Sequence, residues 1–240
     1  MKQLLELLQN SRKTTVFTGA GVSTLSGIPD FRGKNGVYNK LWNGYQVEEI
    51  LSLDCFLARP DLFYTWAQDF IYRAQEFKPS AVHLALAEWE KQGLINSIYT
   101  QNIDQLHQRA GSRKVYEVHG GAGIHHCLKC KSIYSYDEIY PIVMRGEVPR
   151  CVCKGLIKPD IVFYGENLDE MLLQNAFTDF GSSELILVLG SSLTVYPAAE
   201  LPMSAARSGV KTVICNAQST QIDSYAVLKY NDLAELFSEQ

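Results

Sequence analysis

Residues 14–33 read Thr14-Thr15-Val16-Phe17-Thr18-Gly19-Ala20-Gly21-Val22-Ser23-Thr24-Leu25-Ser26-Gly27-Ile28-Pro29-Asp30-Phe31-Arg32-Gly33. The first five are apolar or β-branched, which predicts a strand buried on both faces. Glycines at 19 and 21 then remove Cβ where the chain must turn sharply beside a ligand. Backbone N–H groups can approach a pyrophosphate there, and a following helix N-terminus favours negative charge. Gly-x-Gly after a strand is a weak sign by itself. The third glycine of the dinucleotide fingerprint is missing from its usual place, because Gly27 comes too late. What singles the stretch out is its continuation: Ser23, Ser26, Asp30, Phe31 and Arg32 are too polar, among too many turn formers, for a plain core crossing.

Further strand-like apolar runs follow at residues 95–100, 115–118, 185–189 and 211–215, with helical patterns between them at 80–91, 104–110, 169–178 and 198–208. Strands alternating with helices predict an α/β fold built on a parallel sheet with crossover helices. Two segments break the alternation. Residues 34–79 carry Phe63, Tyr64, Trp66, Phe70, Ile71 and Tyr72 at helical spacing, which reads as a packed helix face. Residues 120–156 hold four cysteines among short strand-like pieces and turns.

At 240 residues the chain can bury a large core, as one large domain or a large domain with an insert. With 46% hydrophobic and 20% charged residues its composition is that of an ordinary globular protein. A net charge of −4 gives no basic footprint, so nucleic acid is not expected as a main partner. The start, Met1 to Leu8, contains Glu6 and lacks the apolar core and cleavage site of a signal peptide. The run 185–189 is too short to span a bilayer, so no membrane is expected. A reducing cytoplasm is the expected compartment, where paired cysteines hold metal more often than they form disulfides.

Residues with chemistry gather at predicted strand ends. Gln101, Asn102 and Asp104 follow the strand 95–100, at the carboxyl end where open α/β sheets bind ligands. Their amides and carboxylate suit a carboxamide ligand, while an Asp N-cap for helix 104–110 is the plainer role of Asp104. His119 ends the strand 115–118 and precedes Gly120-Gly121, where an imidazole can reach a ligand and accept a proton at neutral pH. Gly190-Ser191-Ser192 and Asn216 end two further strands, where small hydroxyls and an amide can meet phosphate or ribose oxygens. Phe31 can shield a reactive sugar carbon, and Arg32 can hold phosphate with forked hydrogen bonds. Cys127-x2-Cys130 and Cys151-x-Cys153 read as two knuckles of a tetrahedral zinc site. His125 and His126 are the alternative ligands. Four thiolates leave no open position for water, so the zinc is structural. Cys55 and Cys215 read as buried small hydrophobes.

The glycine-rich block 19–33, Thr100-Gln101-Asn102-Ile103-Asp104 with Leu106-His107, His119-Gly120, the four cysteines, Gly190-Ser191-Ser192-Leu193 and Asn216 together resemble the sirtuins, the NAD-dependent protein deacylases, from about residue 11 to 232. The likeness is greatest to the bacterial deacetylase type. It implies a Rossmann-like NAD-binding domain formed by 1–33, 80–119 and 157–240. It implies a small domain formed by 34–79 (helical) and 120–156 (zinc-binding), with the active site in the cleft between the two. It also implies NAD as co-substrate and one structural Zn2+.

By this resemblance, the cofactor residues are Gly19, Ala20, Gly21, Ser23, Thr24, Phe31, Arg32, Gln101, Asn102, Ile103, Asp104, His119, Gly190, Ser191, Ser192, Asn216 and Asp232. His119 becomes the general base on the nicotinamide ribose, and Asn102 orients ribose and water. Asp104 and the Ile103 backbone hold the carboxamide, and His107 is structural. Segments 161–166 and 193–195 sandwich an acetyl-lysine peptide as an added strand. Phe31, Val162, Phe163, Gly165, Glu166 and Val195 are then the substrate residues.

The implied activity is NAD-dependent removal of acetyl from protein lysines, releasing nicotinamide and O-acetyl-ADP-ribose. Mono-ADP-ribosyl transfer is the alternative activity of the same site. The desuccinylase type carries Tyr-x2-Arg in the helical module, and here no Arg stands three after Tyr64, which argues for neutral acyl groups. One departure is the glycine-rich run Gly121-Ala122-Gly123 after His-Gly, for which the sequence offers no role.

Overall fold

The computed structural model describes residues 1–29, Gly36 and 41–238. The expected cofactor residues Phe31 and Arg32, and Asp30 before them, lie outside the described residues. Strand β1 (Thr14–Thr18) is buried at every position, as is β7 (Leu185–Leu189). They pair in parallel at the middle of a six-stranded sheet. On one side of β1 lie β2 (Ser97–Thr100) and β3 (Val115–Glu117); beyond β7 lie β8 (Lys211–Cys215) and β9 (Ala226–Tyr230). The order β3-β2-β1-β7-β8-β9 runs outward in both directions from β1 and β7, and every pairing in it is parallel. That reversal of strand order opens a crevice at the carboxyl ends of β1, β2 and β7.

Alternate residues of the central strands feed two separate cores. Val16, Ile98, Leu185, Leu187 and Val213 pack with Leu4 and Leu8 of helix Lys2–Gln9 and with Val82, Leu86 and Trp89 of helix Ala81–Lys91. Phe17, Tyr99, Ile186, Val188 and Ile214 pack on the other face with Ala176 and Phe180 of helix Glu170–Gly181 and with Leu201 and Met203 of helix Glu200–Arg207. This is the continuous apolar run of a strand covered on both faces. Truncating one such side chain, as in Leu187→Ala, costs about 2–5 kcal/mol.

A second, antiparallel sheet has the order β5-β4-β6, from β4 (Gly120–Cys127), β5 (Ile133–Ser135) and β6 (Ile157–Ile161). Its residues Ala122, Ile157 and Ile161 share one core with Phe56, Phe63, Tyr64 and Trp66 of helices Leu53–Ala58 and Pro60–Phe70. Phe163 meets Phe56 and Phe63 with ring centroids 5.4 and 5.0 Å apart. Strand β6 pairs with β4 although the sequence reading placed residues 157 onward with the larger sheet.

Four local differences from the sequence reading have physical causes. Strand β9 was not expected, because it is an edge strand, half-buried and interrupted by Lys229. The helix expected from 104 starts at Leu106, since Gln105 adopts a left-handed conformation with φ 61°. Cys55 is only partly buried, whereas Cys215 is buried. His125, weighed as a metal ligand, is buried with Nε2 2.7 Å from the Tyr72 hydroxyl.

Candidate active site

The glycine loop after β1 lies directly on the turn that ends β7. The Gly21 amide donates to the Gly190 carbonyl at 2.9 Å, and the Gly19 amide to the Leu189 carbonyl at 3.1 Å. A Cβ on Gly21 would stand 2.6 Å from the Gly190 Cα, and one on Gly190 2.6 Å from the Val22 nitrogen. These glycines are therefore required first for backbone to touch backbone; access for a ligand follows from that. Ser80 Oγ donates to the Val22 carbonyl at 2.9 Å and anchors the loop to helix Ala81–Lys91.

Beside this loop the chain leaves β2 and places four polar side chains together. Asn102, buried, donates its amide hydrogens to the Gly19 carbonyl and to Ser23 Oγ, both at 3.0 Å. Those two bonds use both amide hydrogens, fix the amide's orientation and leave Oδ1 as its acceptor. Ser23 Oγ donates to Asp104 Oδ2 at 2.6 Å, and Asp104 Oδ1 accepts the Leu106 amide at 2.9 Å. Burial raises the Asp104 pKa against those bonds and the Arg109 charge. Asp104 thus also caps the first turn of helix Leu106–Ala110, the plainer role weighed for it. Gln101 Oε1 accepts Ser191 Oγ at 2.8 Å, while its buried Nε2 has no partner among the described residues. His107 is buried with Nε2 2.9 Å from Thr18 Oγ1.

His119 stands in the turn between β3 and β4. Gly120 follows with φ 68°, and a Cβ there would collide with the Asp160 carbonyl, so the turn demands glycine. His119 Nδ1 lies 3.2 Å from the Gln101 carbonyl oxygen. A carbonyl only accepts, so Nδ1 carries the proton and Nε2 is the basic nitrogen of the neutral ring.

The crevice is a cavity of about 860 Å³. It brings together Ala20, Gly21 and Thr24 from the glycine loop; Gln101, Asn102 and Ile103 after β2; His119; Gly190, Ser191 and Ser192 after β7; Asn216 after β8; and Asp232. Val162, Phe163, Gly165, Glu166 and Val195 line the same cavity. Gly19 and Ser23 stand behind this lining. Ser23 and Asp104 line a smaller cavity of about 40 Å³ that shares Ala20, Asn102 and Ile103 with the large one. Asp232 accepts the Ala234 and Glu235 amides as a helix cap at the rim. Asn216 Nδ2 donates to the Gln218 carbonyl.

The donor set fits a dinucleotide. The backbone amides of Ala20, Ser191 and Ser192 have no partner among the described residues, and neither does Gln101 Nε2. Unpaired N–H groups at a strand-to-helix turn suit phosphate and ribose oxygens.

Sequence reasoning missed Lys158. Only 8% of its side chain is exposed, yet Nζ donates to the Ile161 carbonyl at 2.6 Å and pairs with Glu166 Oε2 at 2.8 Å. Burial lowers the Lys158 pKa and Glu166 opposes the shift. The only local signal was a Lys next to Ile157 in a short strand flanked by isoleucines. Glu166 Oε2 also accepts the Phe163 amide at 2.8 Å, so the pair closes the segment that lines the cavity.

About the cysteines, Lys131 and Lys154 adopt left-handed turns with φ 63°, which fold the two knuckles. The four Sγ atoms lie within 4.8 Å of one another, with Cys127–Cys153 and Cys130–Cys151 at 3.5 Å. Thiolates about 2.3 Å from a central zinc stand roughly 3.8 Å apart, so the cluster fits the ion. A Cβ on Gly155 would lie 2.5 Å from Cys127 Sγ, which shows how closely this knuckle wraps the cluster. His126 faces Asp160 at 3.7 Å.

The family model described as the Sir2 family matches residues 19–197. The chain belongs to the Sir2 family. An NAD-dependent protein deacetylase of Thermotoga maritima is 46% identical to this sirtuin over 96% of the chain and 92% of the relative. One of Sulfolobus acidocaldarius is 41% identical over 98% and 91%. Among solved structures, a Sir2 complex with p53 peptide and NAD+ superposes on this sirtuin with a TM-score of 0.89 at 44% identity, covering 99% of this chain and 95% of that one. A Sir2 bound to acetylated peptide does so with a TM-score of 0.87 at 42% identity, covering 99% and 95%.

Proposed function

We propose that this sirtuin is an NAD-dependent protein-lysine deacetylase. The observation that carries the reading is one cavity lined by a basic imidazole nitrogen, fixed amide groups and apolar walls. NAD, when bound, supplies a nicotinamide leaving group and an electrophilic ribose carbon. The residues do the rest. Asp104 and the Ile103 backbone hold a carboxamide, and Ser23 fixes the carboxylate for it. Gln101 and Asn102 orient ribose hydroxyls, and Asn102 Oδ1 also positions water. Gly19, Ala20, Gly21 and Thr24 surround the phosphates, with Gly190, Ser191, Ser192, Asn216 and Asp232 toward the adenosine end; the roles proposed for Arg32 and Phe31 are to hold phosphate and to shield the reactive ribose carbon. His119 Nε2 accepts a proton from a ribose hydroxyl, while the Gln101 carbonyl keeps Nδ1 protonated.

The acyl-lysine lies between Val162, Phe163 and Val195. The Val162 carbonyl, the Gly165 amide and the Val195 amide have no partner among the described residues, which supports peptide binding as an added strand. Cys127, Cys130, Cys151 and Cys153 hold one structural zinc; with four thiolates it has no open position and stays outside the chemistry. We also infer a two-domain division. The six-stranded sheet with its helices forms the NAD-binding domain, and the described helices of 41–79 with residues 120–161 form the small domain. Among the described residues no helix is long and apolar enough to cross a membrane; the free thiols suit a reducing cytoplasm.

The test is incubation with an acetyl-lysine peptide and NAD, with mass analysis of both products. Equimolar free-lysine peptide, nicotinamide and O-acetyl-ADP-ribose are expected. NADH, or a peptide gaining ADP-ribose, would replace the reading with hydride transfer or ADP-ribosyl transfer.

A further inference from the structure

Two residues that touch, one just after Asp104 and one in β4, are chosen against their own backbone preferences. Gln105, directly after Asp104, sits in the left-handed region at φ 61°, ψ 14°, a conformation natural to glycine and rare for a long side chain. Gly123, in β4, is not among the positive-φ glycines, so nothing in its conformation calls for glycine. Its reason is space. A Cβ on Gly123 would land on Gln105 Nε2 and stand 3.2 Å from Cδ and 3.7 Å from Oε1. The Gln105 amide therefore presses its Nε2 end into the space beside the bare Cα of Gly123. This happens where β4 carries extra residues against β6, between the pairs Gly121–Asp160 and His125–Pro159.

We propose that Gln105 is a positioning residue for the carboxamide end of the cofactor pocket, its side chain seated in the notch that Gly123 leaves in β4. The inference rests on the NAD reading above. The left-handed turn at Gln105 sets the angle between Asp104 and helix Leu106–Ala110. Asp104 is held on one side by Ser23 Oγ at 2.6 Å and on the other by the Leu106 amide at 2.9 Å. With the Gln105 amide seated, that turn is braced from outside against the sheet that carries the cysteines. The glycine-rich departure Gly121-Ala122-Gly123 thereby gains a role: it is the receiving face of the brace. Because the colliding atom is the far end of a flexible side chain, Gly123→Ala displaces Gln105 and leaves the backbone intact.

The test is calorimetric binding of NAD and of ADP-ribose, which lacks the nicotinamide carboxamide, to the zinc-loaded wild type and to Gly123→Ala and Gln105→Gly. Circular dichroism and zinc content check folding. The proposal expects both variants to lose NAD affinity by about threefold to tenfold, where tenfold is 1.4 kcal/mol, with ADP-ribose affinity changed less than about twofold. Gln105→Gly discriminates sharply, because it relaxes the backbone while emptying the notch. If strain alone mattered, it would bind NAD as well as the wild type or better, and that result overturns the proposal. Equal loss for both ligands also overturns it, by showing a general disturbance. Should Gly123→Ala misfold, Gln105→Gly decides alone. A wild type that binds no NAD sinks the underlying functional reading instead.

Discussion

Lys158 Nζ and Glu166 Oε2 stand 2.8 Å apart at the base of the segment that lines the cavity, with the Lys158 side chain 8% exposed. The ammonium also donates to the Ile161 and Pro159 carbonyls and lies 4.0 Å from the Phe163 ring centre. Removing one partner leaves the other charge buried, which costs about 3–5 kcal/mol. Glu166→Ala is therefore expected to destabilise by up to that amount in denaturant titration. Its KM for the acetylated peptide should rise more than its KM for NAD, because the Phe163 amide loses its acceptor.

Glu117 gives a pH-dependent prediction. Its carboxyl is tucked against Gly121, with Oε1 buried and without a hydrogen-bond partner among the described residues. Burial, helped by the charges of Asp104 and Asp160 and opposed by a Gln108 hydrogen bond, raises its pKa from 4.5 to about 7. A carboxyl whose folded pKa is raised favours the fold most fully below the unfolded pKa. That stability is lost as pH rises from 4.5 to about 7, by at most about 3.4 kcal/mol at 1.36 kcal/mol per unit. Glu117→Gln should accordingly be more stable than the wild type at pH 8, with the gap closing below pH 4.5. Thermal melts across that range read it, and a gap that is constant with pH contradicts the assignment.

The zinc cluster is the next point of attack. Replacing Cys127 and Cys130 with Ala should release one zinc per chain and loosen the small sheet, because metal binding and local folding are coupled. Metal analysis with a thiol count reads it. A reduced wild type without zinc, or with these thiols joined as a disulfide, would contradict the site.

Acyl choice follows from charge. Among the described residues no Lys or Arg lines the large cavity, Lys158 is held by Glu166, and Arg73 pairs with Asp69 at 3.2 Å. The position three after Tyr64 is Ala67, which is buried. A succinyl carboxylate entering there loses hydration without gaining a cation. Acetyl-lysine should be preferred by on the order of a hundredfold in kcat/KM on the same peptide. Equal efficiencies would reveal a cation facing the tunnel.

Much of this site was legible in the sequence, and the reasons are physical. Strands β1, β7 and β8 are buried on both faces, so their apolar runs have sharp ends that the sequence displays. The candidate site residues follow such strand ends, Gly19–Gly21 after β1, Gln101–Asp104 after β2 and Gly190–Ser192 after β7, which is why the sequence shows them together. What the sequence hid depends on contacts between distant segments. Nothing local to Lys158 says that Glu166 neutralises it, and nothing local to Gly123 says that Gln105 fills its notch. Strand β9 was hidden for another reason, since an edge strand needs no continuous apolar run.

The central claim is that His119 acts as base after nicotinamide leaves. His119→Ala tests it most directly, with product formation and nicotinamide exchange measured on the same folded, zinc-loaded protein. A general base contributes about 10²–10⁴-fold, so deacetylation should fall by that factor while exchange of labelled nicotinamide into NAD falls far less. Deacetylation at the wild-type rate, or loss of exchange in step with product formation, would contradict the role given to His119.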